Sequence, residues 1–92
     1  MSNKTPTTWY HGTTEEAWKR IQKDGSLLGK HNDGKRYTYL ALEKEEADCY
    51  GDVTLRIKYD PTLDLDNNNF YPDCLEMRVA SPIKIAQVKR IK

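Results

Sequence analysis

Three short motifs carry the side chains of this chain that could do chemistry. They are YHGT with His11, Gly12 and Thr13, YLA with Tyr39 and the later Tyr50, and EMRV with Glu76. Imidazole, hydroxyl, phenol and carboxylate groups provide hydrogen bonds and charge. A ligand pocket needs a few such polar groups at one place. If the fold gathers these residues at a single cleft, they would line a binding pocket.

Each of these residues also has an ordinary structural explanation. A histidine at a strand end is usually a hydrogen-bonded polar residue, and Thr13 could act as a helix N-cap. Tyr39 and Tyr50 could be core aromatics with hydrated hydroxyls. Glu76 could be a solvent-facing charge paired with Arg78, which would contribute little to stability. Both interpretations stay open on the residues alone.

The first third of the chain predicts a strand that runs directly into a helix. Residues 8–12 are short, aromatic and β-prone, which predicts a first strand. Thr13 and Glu16 then fit a capping box, an apolar helical face follows, and Gly25 is placed to end the helix. The segment 26–36 contains glycines and polar residues and predicts a loop.

The rest of the chain predicts further strands and one more helix. The runs RYTYLAL, VTLRIKYD and CLEMRVA predict strands, EKEEADCYG predicts a short helix, and IKIAQVKRI predicts an irregular last strand. In CLEMRVA, Glu76 and Arg78 share one face, opposite Met77. This order of elements predicts an α+β fold with a mostly antiparallel sheet and two short helices.

The three motifs, in this order and on these elements, resemble the ADP-ribosyltransferase superfamily. The similar branch is the His-Tyr-Glu branch, which includes diphtheria toxin and the poly(ADP-ribose) polymerases. There, HG followed by Ser or Thr ends the first strand, YFA or YLA and a later Tyr lie on the second strand and its helix, and ExxV begins a later strand. The resemblance runs from Trp9 to Ile91. It implies one ADP-ribosyltransferase-like domain over 9–92, with a small split sheet, behind a flexible lead of residues 1–8.

The resemblance implies that NAD is the substrate and assigns a role to each residue of YHGT. His11 would hydrogen-bond a ribose hydroxyl of NAD. Gly12 would present its backbone to the nicotinamide amide, because no side chain blocks the approach. Thr13 would donate its hydroxyl to the amide oxygen.

The same resemblance assigns the aromatic and acidic residues. Tyr39 and Tyr50 would stack on the two sides of the nicotinamide ring. Glu76 would hold the 2′-hydroxyl of the nicotinamide ribose and stabilise positive charge at C1′ in the transition state. On this basis Glu76, His11 and Tyr39 are the expected catalytic residues, and Tyr50 joins the YHGT residues in binding NAD.

Composition and spacing argue against nucleic-acid binding, a disulfide framework, a metal site and a membrane span. The 92 residues carry a formal net charge of +1, which offers no basic field for nucleic acid. Cys49 and Cys74 are the two cysteines of the sequence, too few for a disulfide framework or a zinc site. Asp64, Asp66 and Asn68 match the first ligand positions of a calcium loop, but its glycine and final glutamate are missing, so no metal is predicted. No apolar run could cross a bilayer, and we expect a cytoplasmic protein.

Three functions from different classes fit the resemblance. The first is a mono-ADP-ribosyltransferase that modifies a protein, as a toxin, an effector or a phage-borne inhibitor would. The second is an enzyme that ADP-ribosylates nucleic acid or an RNA 2′-phosphotransferase-like enzyme. The third is a non-catalytic module that binds NAD, ADP-ribose or a partner protein.

The acceptor is only partly constrained by the resemblance. In the family, the loop before the glutamate often touches the target, and here it contains the aromatic pair Phe70 and Tyr71. Arginine-modifying members usually carry Gln or Glu two residues before the glutamate. Cys74 occupies that position here, so arginine is not the expected acceptor.

Overall fold

A computed structural model describes residues 6–27, 30–32, 35–64, 66, 68, 76–80 and 82–92. The described strands are β1 (Thr8–Thr13), β2 (Ser26–Leu27), β3 (Lys30–Asn32), β4 (Lys35–Ala41), β5 (Val53–Lys58), β6 (Glu76–Val79), β7 (Ile83–Lys84) and β8 (Val88–Arg90). The helices are α1 (Glu15–Asp24) and α2 (Lys44–Asp48), with 3₁₀ turns at Pro61–Leu63 and Ile85–Gln87. The predicted α+β class is confirmed. The aromatic pair at 70–71 and Cys74 lie outside the described residues.

The main sheet divides beside its first strand. Its strand order is β3-β4-β1-β5-β8, with β6 also paired to β4, while β2 and β7 form a separate pair. Every pairing in the described ranges is antiparallel, as predicted. β1 pairs with β5 along its whole length, but with β4 its register is the single pair Tyr10 and Ala41. The two halves of the sheet therefore diverge next to the end of β1, where the YHGT motif lies.

The core contains Trp9 of β1, apolar residues of β5 and Ile21 of α1 in one buried cluster. Trp9 is fully buried opposite Ile57, and its indole N–H donates to the Tyr59 carbonyl at 3.1 Å. Leu55 and Ile57 are also fully buried, and burying each side chain contributes about 1.5–3 kcal/mol. This packing holds β1 rigidly and so fixes the backbone of the motif that follows Trp9.

Helix α1 begins one residue later than the capping box predicts. Thr13 is still in β1, paired with Val53, so the N-cap is Thr14, whose side chain accepts from the Ala17 N–H at 3.1 Å. The predicted cap at Thr13 with Glu16 is therefore wrong, because pairing with β5 extends the strand through Thr13. Gly25 ends the helix as predicted, in a left-handed conformation with φ of 76°.

The predicted loop over 26–36 is wrong, because this segment forms two short strands and the start of β4. Strand β2 pairs with β7 far along the chain, and β3 pairs with the first residues of β4. Strands of two or three residues have no readable periodicity and are stabilised by their partners. The final segment is irregular as predicted, since β7 and β8 are separated by a 3₁₀ turn.

Helix α2 confirms the predicted second helix and packs on the face of the sheet opposite the core. Its last residue, Asp48, accepts hydrogen bonds from the buried Thr54 hydroxyl of β5 and from Lys44, at 2.8 Å for the lysine. Both bonds lower the pKa of Asp48. The described part of the chain contains no helix long and apolar enough to cross a membrane.

Candidate functional site

A cavity of about 970 Å³ opens where β1 and β4 diverge. All six residues that the sequence analysis singles out line this cavity: His11, Gly12, Thr13, Tyr39, Tyr50 and Glu76. They come from β1, β4, β6 and the turn after α2. The fold therefore brings together motifs that are up to 65 positions apart in the chain, as the positions 11 and 76 show.

His11 lies in the gap between β1 and β4. Its Nδ1 lies 2.8 Å from the carbonyl oxygen of Tyr39 on β4. A carbonyl only accepts, so Nδ1 carries the proton and the Nε2 of the neutral ring is left as an acceptor. Burial lowers the pKa of His11, although the hydrogen bond to the carbonyl acts in the opposite direction. The ring is thus held neutral near pH 7, with one lone pair that a ligand hydroxyl could use.

Gly12 is required by the packing of α2. A Cβ at this position would lie 1.8 Å from the Ala47 carbonyl oxygen and 3.0 Å from the Tyr50 Cβ. The predicted reason for this glycine was the approach of a ligand to its backbone. The structure instead fills the space beside its Cα with α2, while the residue as a whole still lines the cavity.

A second glycine, Gly51, allows the turn that carries Tyr50 to pack closely against β1. A Cβ at Gly51 would lie 2.1 Å from the Thr13 carbonyl oxygen. The backbone N–H of Tyr50 donates to the Ala47 carbonyl at 3.0 Å. The turn that carries Tyr50 is therefore pressed against β1 on both sides of the residue, and this fixes the phenol ring at the edge of the cavity.

Both tyrosines are surface residues of the cavity and do not belong to the core. The exposed fraction is 43% for Tyr39 and 63% for Tyr50. Tyr39 lies on β4, with the buried Leu40 pointing to the opposite face. The alternative that these are core aromatics with hydrated hydroxyls is wrong. Large exposed aromatic rings around a cavity are the groups that stack on a flat ligand.

Glu76 begins β6 and faces the cavity from the far side of β4. It pairs with Ala41, which in turn pairs with Tyr10. Adjacent strands are about 4.8 Å apart, so the Glu76 backbone lies about 10 Å from β1. Its Oε1 accepts from the Tyr50 hydroxyl at 3.3 Å, and this negative charge raises the pKa of Tyr50. The Glu76 carboxylate and the His11 ring therefore line the same cavity. The hydroxyl of Tyr50, from the turn after α2, is hydrogen-bonded to the carboxylate.

Thr13 lies at the end of β1 and lines the same cavity. Helix capping does not account for it, because Thr14 performs that role.

The sequence analysis missed the wall of the cavity that α1 forms. Ala17, Arg20, Ile21 and Asp24 line it from one helix face, followed by Ser26 on β2. Their i, i+3, i+4, i+7 spacing is the available signal, but the predicted apolar face of this helix includes neither Arg20 nor Asp24. Arg20 is the single Lys or Arg among the described lining residues; it lies on the same wall as the acidic Asp24 and is 3.9 Å from the carboxylate of Glu16.

No metal centre is indicated: the described ranges hold no group of three or more His, Cys, Asp or Glu residues that could bind an ion. Cys49 is an exposed free thiol outside the cavity lining. Fold and site together define a small α+β domain with a tyrosine-edged cleft at a divergence of its sheet. Comparison with protein-family models, curated proteins and solved structures found no match.

Proposed function

We propose that this protein is a mono-ADP-ribosyltransferase that transfers ADP-ribose from NAD to a protein acceptor. The observation that carries the proposal is the convergence of an imidazole, two exposed phenol rings and a carboxylate on one cavity. Its volume of about 970 Å³ lies at the upper end of the usual range of about 300–1,000 Å³ for small-molecule sites. That space suits a ligand as long as a dinucleotide.

The nicotinamide end of NAD would bind between the tyrosines. Tyr39 and Tyr50 offer exposed rings at the cavity, and a flat cationic pyridinium is attracted to aromatic faces. Gly12 and Thr13 lie at the β1 end of the same cavity, where a backbone group and a hydroxyl could hold the carboxamide. Stacking and amide recognition together would orient the ring and its bond to ribose.

His11 would bind a ribose hydroxyl through Nε2. This follows from the tautomer, since Nδ1–H donates a hydrogen bond to the Tyr39 carbonyl and Nε2 is left as the acceptor. The lowered pKa keeps that acceptor unprotonated near neutral pH. The diphosphate of NAD would lie towards Arg20, the single Lys or Arg among the described residues of the lining.

Glu76 would stabilise the transition state. Breaking the bond between nicotinamide and ribose leaves positive charge at C1′, and a carboxylate beside that carbon lowers its energy. The carboxylate would also accept a hydrogen bond from the 2′-hydroxyl of the same ribose. The hydrogen bond from Tyr50 at 3.3 Å holds the acid on the cavity side of β6.

A nicotinamide-release assay tests the proposal without knowledge of the acceptor. The wild type should release nicotinamide from NAD, and Glu76→Gln should bind NAD with similar affinity but turn over about 10²–10³ times more slowly. Glu45→Gln is the matched control, because it makes the same change at an exposed acid of α2 outside the cavity. Its rate should equal that of the wild type.

A binding measurement tests the stacking separately. Tyr39→Ala should weaken NAD binding about tenfold or more, by analogy with the loss of base stacking on aromatic residues, whereas Tyr39→Phe should bind like the wild type. NAD binding without nicotinamide release would favour the non-catalytic module. If the wild-type protein neither binds NAD nor releases nicotinamide, the proposal is overturned.

A further inference from the structure

A row of directly paired residues crosses the main sheet from the cavity to β8. Each member is the cross-strand partner of the next, and in order from β6 to β8 they are Glu76, Ala41, Tyr10, Arg56 and Lys89. Residues directly opposite each other on an antiparallel ladder point to the same face. The row therefore connects the cavity, which Glu76 and Tyr10 line, to two cations on the same face of the sheet.

Three cations lie close together at the β5–β8 end of this row. Lys58 lies two residues after Arg56 on β5, about 6.6 Å along the strand. Both alternate with the buried residues of that strand, so both point away from the core. Lys89 is exposed, and its strand runs about 4.8 Å from β5. We call Arg56, Lys58 and Lys89 the basic cluster.

The basic cluster has no acidic partner among the described residues. The ion pairs of the described ranges lie elsewhere and join Glu16 to Arg20, Lys44 to Asp48, and Glu15 to Arg90.

The arrangement of the basic cluster is unfavourable for the isolated chain. Arg56 and Lys89 are direct cross-strand neighbours, and like charges in that position destabilise a sheet. A lysine on the last strand of a sheet can protect against edge-to-edge aggregation. That explanation does not extend to Arg56 and Lys58, because β5 lies between β1 and β8. An anion bound from outside would relieve the repulsion.

We infer that the basic cluster is a docking surface for an acidic segment of the acceptor protein. That the partner is the acceptor rests on the proposed function, whereas the charge of the segment follows from the cluster itself. Across the paired strands, the backbone of Arg56 lies about 14 Å and that of Lys89 about 19 Å from Glu76. A standard interface covers about 800 Å² on each partner, a patch roughly 30 Å across. One partner surface can therefore contact the basic cluster and reach the cavity.

An acidic protein segment fits this surface better than nucleic acid does. A nucleic-acid strand carries a negative charge at every nucleotide, so it would continue beyond the basic cluster over neighbouring acids. Glu43 and Glu45 are exposed at the start of α2, which packs on this face. A protein segment carries negative charge only at its own Asp and Glu residues, so it can contact the cluster without placing charge against these acids.

Titration with two short probes tests the chemistry of the partner. Isotope-labelled wild-type protein is titrated at low ionic strength with an octamer of glutamate and, separately, with a single-stranded DNA octamer of mixed sequence. The glutamate peptide should shift the backbone NMR signals of β5 and β8 around the basic cluster, and added salt should weaken its binding. DNA that binds more tightly than the peptide overturns the inference, as does a peptide that shifts no signals there.

Lys89→Glu separates docking from folding. An exposed charge changes affinity by up to about fivefold, so losing one attraction and adding one repulsion should weaken binding of the glutamate peptide about tenfold. The melting temperature should not fall, because the new carboxylate lies opposite Arg56 and attracts it. Lys19→Glu, at an exposed lysine of α1 outside the cavity lining, is the matched control and should bind like the wild type. Equal peptide binding by Lys89→Glu and wild type would overturn the inference.

Protein labelling tests whether the partner is the acceptor. Labelled NAD is incubated with a cell lysate and either the wild type or Lys89→Glu. The variant should label lysate protein about tenfold more slowly, the same factor as for the peptide. Its release of nicotinamide to water should stay within twofold, since Lys89 does not line the cavity. Equal labelling overturns the assignment of the acceptor. A wild type that releases no nicotinamide overturns the proposed function, and the peptide titration then decides the docking surface alone.

Discussion

Replacement of Gly12 by alanine should displace the turn that carries Tyr50 and destabilise the whole domain. The added Cβ would lie 1.8 Å from the Ala47 carbonyl oxygen and 2.8 Å from its carbonyl carbon. Both neighbours are backbone atoms, so no side-chain rotation relieves the overlap, and the end of α2 must retreat from β1 by more than about 1 Å to reach a normal contact. That carbonyl also accepts from the Tyr50 N–H, so the turn moves with it.

The expected cost is at the upper end of the range for overpacking, about 3 kcal/mol of unfolding free energy. A domain of this size has a total stability of about 5–15 kcal/mol. The melting temperature should therefore fall by about 12–24 °C, since each kcal/mol corresponds to about 4–8 °C in domains of 60–100 residues. Displacement of Tyr50 should also weaken NAD binding about tenfold or more, as the loss of a stacking ring does.

Gly25→Ala is the matched control. Gly25 has φ of 76°, and an added Cβ there would meet nothing within 4 Å. Its cost is that of a left-handed backbone alone, about 1–2 kcal/mol, and Gly25 is not among the residues that line the cavity, so NAD affinity should not change. Urea denaturation and calorimetric NAD titration measure both effects. A Gly12→Ala protein as stable as Gly25→Ala, with unchanged NAD affinity, would refute this account of how α2 positions the cleft.

Two pH-dependent predictions follow from the same site. Glu76→Gln should lower the pKa of Tyr50 towards its ordinary value, because the carboxylate is the main cause of its rise; NMR titration of the phenol ring detects the change, and an unaltered titration would disprove the contact. His11 has a lowered pKa in the folded protein, and about 6.5 in the unfolded chain. The unfolded state therefore binds more protons at acid pH, so stability is complete above about pH 6.5 and falls as the pH drops below it. His11→Asn, which keeps a donor for the Tyr39 carbonyl, should lack this loss between pH 7 and pH 5 in urea denaturation; an identical slope in both proteins would contradict the assignment.

Periodicity made the half-buried strands predictable. In β6 buried residues alternate with exposed ones, and Met77 lies between the exposed Glu76 and Arg78 as the pattern requires. In β5 the apolar residues Val53, Leu55 and Ile57 are buried as predicted, but Thr54 between them is buried as well, under α2. Such strands are specified by a repeat of two along several residues. The same alternation placed Glu76 on the open face, which is why its position at the cavity was accessible from sequence.

The missed features depend on contacts between distant segments. Thr13 matches a capping box, but its pairing with Val53 keeps it in β1 and shifts the cap by one residue. Strand β2 exists because β7 lies beside it. The hydrogen bond between His11 and the Tyr39 carbonyl depends on the point at which β1 and β4 diverge, and no local sequence pattern determines that point. Local propensity is informative only until tertiary pairing overrides it.

The proposed function requires that one cavity, edged by Tyr39 and Tyr50, binds the nicotinamide end of NAD. The most direct measurement is an NMR spectrum of the protein saturated with NAD, with cross-relaxation recorded between nicotinamide ring protons and tyrosine ring protons. We predict contacts to both Tyr39 and Tyr50, lost individually in Tyr39→Ala and Tyr50→Ala. NAD that fails to bind, or that binds with its nicotinamide protons away from both rings, would contradict the account.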